Sequence, residues 1–157
     1  MGILTPEMKD AVATCKLSFC ATTNADGTPN LSPKSSLAVY DDDHLVFANI
    51  ASPNTIANLR RSPTIEVNVV DIFFRKGFRF RGTAEIHPSG PVFDFVALPF
   101  WAKQGRHYPV HEVVKVRVER ALPVLSPAYV FNDNVDPEAV RRSWLGEYGV
   151  APLGDKR

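Results

Sequence analysis

The chain has 157 residues, 45% hydrophobic and 22% charged, and a net charge of +1. That balance suits one globular domain over residues 1–157 and gives no strong pull toward nucleic acid or an anionic membrane. No apolar run approaches the roughly 20 residues that span a bilayer.

The N-terminal MGILTPEMKD lacks a signal peptide's apolar core, and Pro6 stands where a myristoylation signal needs Ser or Thr. Cys15 and Cys20 form neither a disulfide framework nor a CxxC pair. The expectation is a cytoplasmic protein with reduced, packed thiols.

Thr5-Pro6 opens a short helix, with Met8, Ala11, Val12 and Cys15 at helical spacing. The period then changes to two in LSFCATT, the first strand. Asp26-Gly27 in NADGT is the strongest hairpin signal of the chain. PNLSPKSSLAVY returns as one long strand, in which Pro33 predicts an edge or a bulge. DDDH turns again, and LVFAN is the third strand. A helix capped by Ser52 follows and stops at Pro63.

TIEVNVVD is a fourth strand, with Ile65, Val67 and Val69 on one face. GFRFRGTAEIHP is a fifth, placing Phe78, Phe80, Gly82, Ala84 and Ile86 opposite Arg79, Arg81, Thr83 and Glu85. SGPVFDFVALPFWAKQG contains a helix interrupted at Pro99. HEVVKVRVERALPVL is the sixth strand, and Asp136-Pro137 opens a last helix that ends near Gly146, a C-terminal helical extension from about residue 136. The tail APLGDKR reads as loose. Six mostly antiparallel strands with small helices imply a small β-barrel. Arg79, Arg81, Lys115 and Arg117 lie on polar strand faces, either solvated or at a subunit interface.

Few residues offer chemistry of their own. Asp41, Asp42 and Asp43 read as a solvated turn. His107 and His111 are spaced i, i+4, but Pro109 breaks the helix that zinc ligation would need. No nucleophile elbow, dinucleotide fingerprint or P-loop is present. If the chain does chemistry, a cofactor supplies it. Phe100, Trp101, Trp144 and Tyr148 read first as packing residues.

One stretch stands out, VFANIASPNTIANLRRSP, residues 46–63. A helix starting at Ser52-Pro53 aims the N–H groups of Asn54 and Thr55 outward at the positive end of its dipole. This is either a plain cap or an anion seat.

Residues Asp26 to Pro63, with Phe47-Ala48-Asn49-Ile50-Ala51-Ser52 at their centre, resemble the FMN-binding split-barrel family that includes pyridoxamine 5′-phosphate oxidase. The likeness continues more loosely to about Glu119. It implies a six-stranded antiparallel split β-barrel, FMN as cofactor, and a homodimer with the flavin at the subunit interface. It further implies oxidoreductase activity on a small-molecule substrate or electron donor. The candidate contacts are Ser32, Lys34, Ser35, Ala48, Asn49, Ser52, Asn54 and Thr55, with Lys34 facing the flavin ring.

Ser32 and Asn54 stand where the oxidase branch has an arginine and a lysine. Lys34, Arg60, Arg61, Arg79 and Arg81 are the available replacements. The oxidase's C-terminal substrate segment is not recognisable in SWLGEYGVAPLGDKR. Two other readings stay open. One is an electron-carrier module without a substrate of its own. The other is the same barrel holding a deazaflavin, or a haem on His87, His107 or His111.

Overall fold

The computed structural model describes residues 2–151. Apart from Ala151, the tail expected to be loose lies outside them. Helix α1, Pro6–Thr14, starts as expected: the Thr5 hydroxyl accepts from the Met8 N–H, and Pro6 needs no acceptor. The strands are β1 Ser18–Thr23, β2 Pro29–Lys34, β3 Ala38–Val39, β4 His44–Asn49, β5 Thr64–Asp71, β6 Lys76–His87 and β7 Glu112–Leu125. They form one antiparallel sheet in the order β2-β1-β5-β6-β7-β4-β3. The two edges, β2 and β3, are joined by residues 35–37 alone. So short a link holds the edges side by side, and the sheet curls into a barrel split between them.

The strand count is seven, not six. The single strand expected from Pro29 to Tyr40 is two strands. Its first half pairs with β1 until Lys34 meets Ser18, where β1 begins and the partner runs out. The chain then crosses the split and pairs Ala38 with Val46 of β4. Pro33 lies on the edge strand, as expected.

Helix α2, Pro53–Arg61, closes one side of the barrel with Ile56 and Leu59. Helix α3, Pro91–Gln104, runs on through Pro99 instead of breaking there. Pro99, Phe95 and Leu98 all lie on its exposed flank, so the lost helical bond faces the solvent side. A short helix α4, Pro127–Val130, forms where none was expected, with the Ser126 hydroxyl capping Ala128. Helix α5, Pro137–Glu147, is capped by Asp136 as the Asp-Pro pair predicts.

Alternation decides the core. Leu45 and Phe47 of β4 point into the barrel with Val67, Phe80, Val114 and Val116, all fully buried. Val46 and Ala48 point the other way and pack with Val113 under Val96 and Ala97 of α3. Burial of Cys20 inside the barrel pushes its thiol up to about 12, so it packs as a neutral group.

Gly82 sits at the β6–β7 bulge, where the register shifts. A Cβ there would run into the Arg117 carbonyl oxygen. Gly82→Ala should therefore destabilise the fold by about 1–3 kcal/mol, the usual cost of overpacking. The urea midpoint measures this, and an unchanged midpoint would place the bulge elsewhere.

Candidate functional site

β4 ends at Asn49 and α2 begins after Ser52, so three residues turn the chain. Asn49 makes that turn. Its buried side-chain oxygen accepts from the Ser52 N–H at 3.2 Å and from the Ser52 hydroxyl at 2.9 Å. Its amide donates to Glu112 Oε2 at 2.7 Å, across the first pair of the β4–β7 ladder. Glu112 is held in turn by Arg60 at 3.0 Å. Ser52 therefore occupies the cap position of α2 without capping it through its side chain, contrary to the sequence expectation. The hydroxyl is taken by Asn49. Among the described residues nothing accepts from the N–H groups of Asn54 and Thr55.

Lys34 comes to the same point from the edge strand β2. Its side chain is 7% exposed. The ammonium donates to Ser32 Oγ at 2.6 Å, to Ser52 Oγ at 2.9 Å and to the Pro33 carbonyl at 3.3 Å. It also lies 5.6 Å from the centre of the Phe47 ring. Among the described residues no carboxylate pairs with it, and burial lowers its pKa from 10.5. A buried cation held by neutral acceptors beside a helix N-terminus concentrates positive potential without a counter-ion.

The eight candidate residues are thus not all together. Ser32, Lys34, Asn49 and Ser52 form one hydrogen-bonded cluster, and the Asn54 N–H faces outward beside it on an exposed residue. Thr55 is 1% exposed, and its hydroxyl accepts from the Asn30 amide at 3.3 Å. Ala48 packs its methyl under α3 while its N–H donates to Ser36 Oγ at 3.0 Å. Ser35 turns away and lines a cleft with Lys9, Lys16 and Lys103.

Of the candidate replacement cations, Arg60 is paired to Glu112 and Arg61 donates to the Thr23 carbonyl and Asn58. Arg79 and Arg81 lie on the outer face of the sheet. Glu112, Ser36 and Asn30 were missed in the sequence. Glu112 is 63 residues from Asn49, and only the strand pairing reveals it. The Asp41–Asp43 turn stands apart, whereas His111, next to Glu112, donates its N–H to the Asn49 carbonyl at 3.0 Å. Asp41 accepts from His44, Asp42 pairs with Lys9, and Asp43 accepts from the Ile3 N–H. Trp101 donates to the Tyr108 carbonyl at 2.9 Å and packs its ring against Phe93.

A split antiparallel barrel with a cationic seat between its edge strand and the helix after β4 defines a class of small ligand-binding β-barrels. The chain belongs to the pyridoxamine 5′-phosphate oxidase family, whose model matches residues 4–132. It is 31% identical to HupZ of Group A Streptococcus, covering 79% of this chain and 96% of that one, with a TM-score of 0.71. Two further structures share the fold. One is an FMN-binding protein from Syntrophomonas wolfei, at 17% identity, 78% and 87% coverage and TM-score 0.69. The other is an F420 reductase, at 21% identity, 75% and 98% coverage and TM-score 0.59. No curated protein sequence matches the chain.

The buried lysine carries a pH signature. Its folded pKa lies below 10.5, so between those two values the unfolded chain binds more protons and stability rises with pH. Cys20 acts oppositely above 9.0, and because the Lys34 charge lowers its thiol the two proteins are compared below that pH. Ligand-free Lys34→Met should therefore be more stable than wild type at neutral pH, with the gap narrowing as pH rises toward 9.0. Urea midpoints across that range test it, and a constant gap would mean that Lys34 is solvated.

Proposed function

We infer that the chain binds FMN, with the phosphate at the start of α2, and works as a homodimeric oxidoreductase on a small molecule. The observation that carries this reading is the Lys34 ammonium, buried beside the free N–H groups of Asn54 and Thr55 without a carboxylate. A phosphate dianion supplies what that arrangement lacks, and the Ser32 and Ser52 hydroxyls can turn to donate to it. Lys34 then serves as the family's missing phosphate cation, in place of a role at the flavin ring. Asn49 and Glu112 hold the seat in shape, as positioning residues.

When bound, the flavin exchanges a hydride, and so two electrons, with a substrate. No described side chain stands out as an acid or base for the exchange, so the chain's part is to place the ring and shield it.

Homodimer formation is supported by the outer sheet face. Phe19 and Leu31 are 36% and 63% exposed there, next to Pro33 and Ala21 on the same two strands. An apolar strip of this kind suits a partner surface. No helix among the described residues is long and apolar enough to cross a membrane.

Calorimetric titration of FMN and of riboflavin, which lacks the phosphate, tests the seat. On binding, the ammonium exchanges its longest bond, 3.3 Å to the Pro33 carbonyl, for the phosphate. Lys34→Met removes that charge-assisted bond of about 1.5–3 kcal/mol, so FMN should bind about 10- to 100-fold more weakly. Riboflavin affinity should not change. Equal FMN affinity in both proteins would remove the phosphate from Lys34. Sedimentation of the FMN complex should give twice the monomer mass, and a monomer that binds FMN would sink the shared site.

A further inference from the structure

A cleft of about 590 Å³ lies away from the anion seat, between α1, the tip of the β5–β6 hairpin and the end of β7. Its volume is that of a small-molecule site. The walls are apolar, from Ala11, Cys15, Phe74, Phe78, Pro123 and Leu125. The rim is acidic, from Glu7, Asp10 and Asp71, and Lys76 is the only cation among the lining residues.

The hairpin tip explains why one wall is aromatic. One oxygen of Asp71 accepts from the N–H groups of Phe73 and Phe74, at 2.9 and 2.8 Å. The turn this fixes carries Arg75 through φ 57 and presents Phe74 to the cleft. The Phe74 ring already receives two cations, Lys76 Nζ at 5.9 Å and Arg141 Cζ at 5.8 Å from its centre. Aromatic faces attract cations in this way.

The three rim carboxylates form no ion pair among the described residues. Their field is felt by neighbouring groups. Burial raises the Cys15 thiol, and the charges of Asp71 and Asp10 raise it further. Tyr129, whose hydroxyl donates to the Phe74 carbonyl, is raised by burial and then by Asp71. The polarity is opposite to that of the Lys34 seat.

We propose that this cleft is a second binding site, for a small organic cation with an apolar body. The ammonium lies against Asp10 and Asp71 and the body against Phe74 and Phe78. A neutral ligand would leave the carboxylates without a counter-charge, and an anion would meet like charge across an apolar floor of low dielectric. The site does not depend on the flavin reading, because none of its lining residues belongs to the seat.

The probe is 2-phenylethylamine, compared by calorimetry with neutral 2-phenylethanol and anionic 3-phenylpropionate. The amine should bind at least about tenfold more tightly than either, the equivalent of about 1.4 kcal/mol. It should also slow alkylation of Cys15 by iodoacetamide. Cys15 borders the lysine-rich cleft of Ser35 as well, but that one would favour the anionic probe, so protection by the amine and not by 3-phenylpropionate places it in the acidic cleft. The double substitution Asp10→Asn, Asp71→Asn should remove the tenfold preference and leave 2-phenylethanol and FMN affinities unchanged. Asp71→Asn keeps a side-chain oxygen for Phe73 and Phe74, so the hairpin tip is preserved. No binding of the amine, equal binding of all three probes, or unslowed Cys15 alkylation would each overturn the proposal. Failure of FMN to bind would overturn the flavin reading alone.

Discussion

The Lys34 ammonium is the interaction on which the rest of this site depends. It sits at the last paired residue of the edge strand and is 7% exposed. All three of its donors are used on neutral oxygens. An ion in such a place is tolerated because hydroxyls and a carbonyl replace part of its hydration, but its charge is not cancelled. The cluster is therefore polar and positive while the barrel beside it, from Phe47 to Cys20, is dry. A site that holds an anion must combine those two properties. Solvent around an exposed lysine would screen the charge, and a carboxylate beside a buried one would neutralise it.

Lys34 is effective only because its surroundings are rigid. Arg60, Glu112, Asn49, Ser52 and Lys34 are linked in one chain of polar contacts, each 3.0 Å or shorter. That chain ties the second strand of one ladder, the end of β4 and both ends of α2 to the edge strand. It also explains the use of the helix's cations. Arg60 and Arg61 lie at the C-terminus of α2, where they suit the dipole and are occupied by Glu112, Thr23 and Asn58. The N-terminus has no acid in its first turn and no side-chain cap, so its positive end stays available.

Much of this was legible in the sequence because it is local. The hairpin at Asp26-Gly27, the alternation of Ile65, Val67 and Val69, and the Ser-Pro start of α2 follow from neighbouring residues. What was not legible depends on partners distant in the chain. The long strand seen in PNLSPKSSLAVY ends at Lys34 because β1 starts at Ser18, a limit that periodicity does not contain. Ser52 was read as a cap from its type and place, yet Asn49 competes successfully for its hydroxyl. Thr55 looked like an exposed donor, but at its position in α2 the side chain turns inward to Asn30. The contacts of Lys34 with Ser32 and Ser52 depend on the reach of a four-carbon side chain, which strand pairing alone does not give.

The split in the barrel has a consequence for how copies of the chain can associate. Open sheet edges invite strand addition, and this sheet blunts both of its edges. Pro29 and Pro33 remove donors from β2, and β3 has only two residues. Edge-to-edge pairing is therefore poor, while the outer face of β1 and β2 carries Phe19 and Leu31. Association through that face leaves the split uncovered by a paired strand. Lys34 ends β2 on the inner side of the same strand, opposite the outward Pro33. A second subunit on that face would lie along β2, the strand that ends at Lys34.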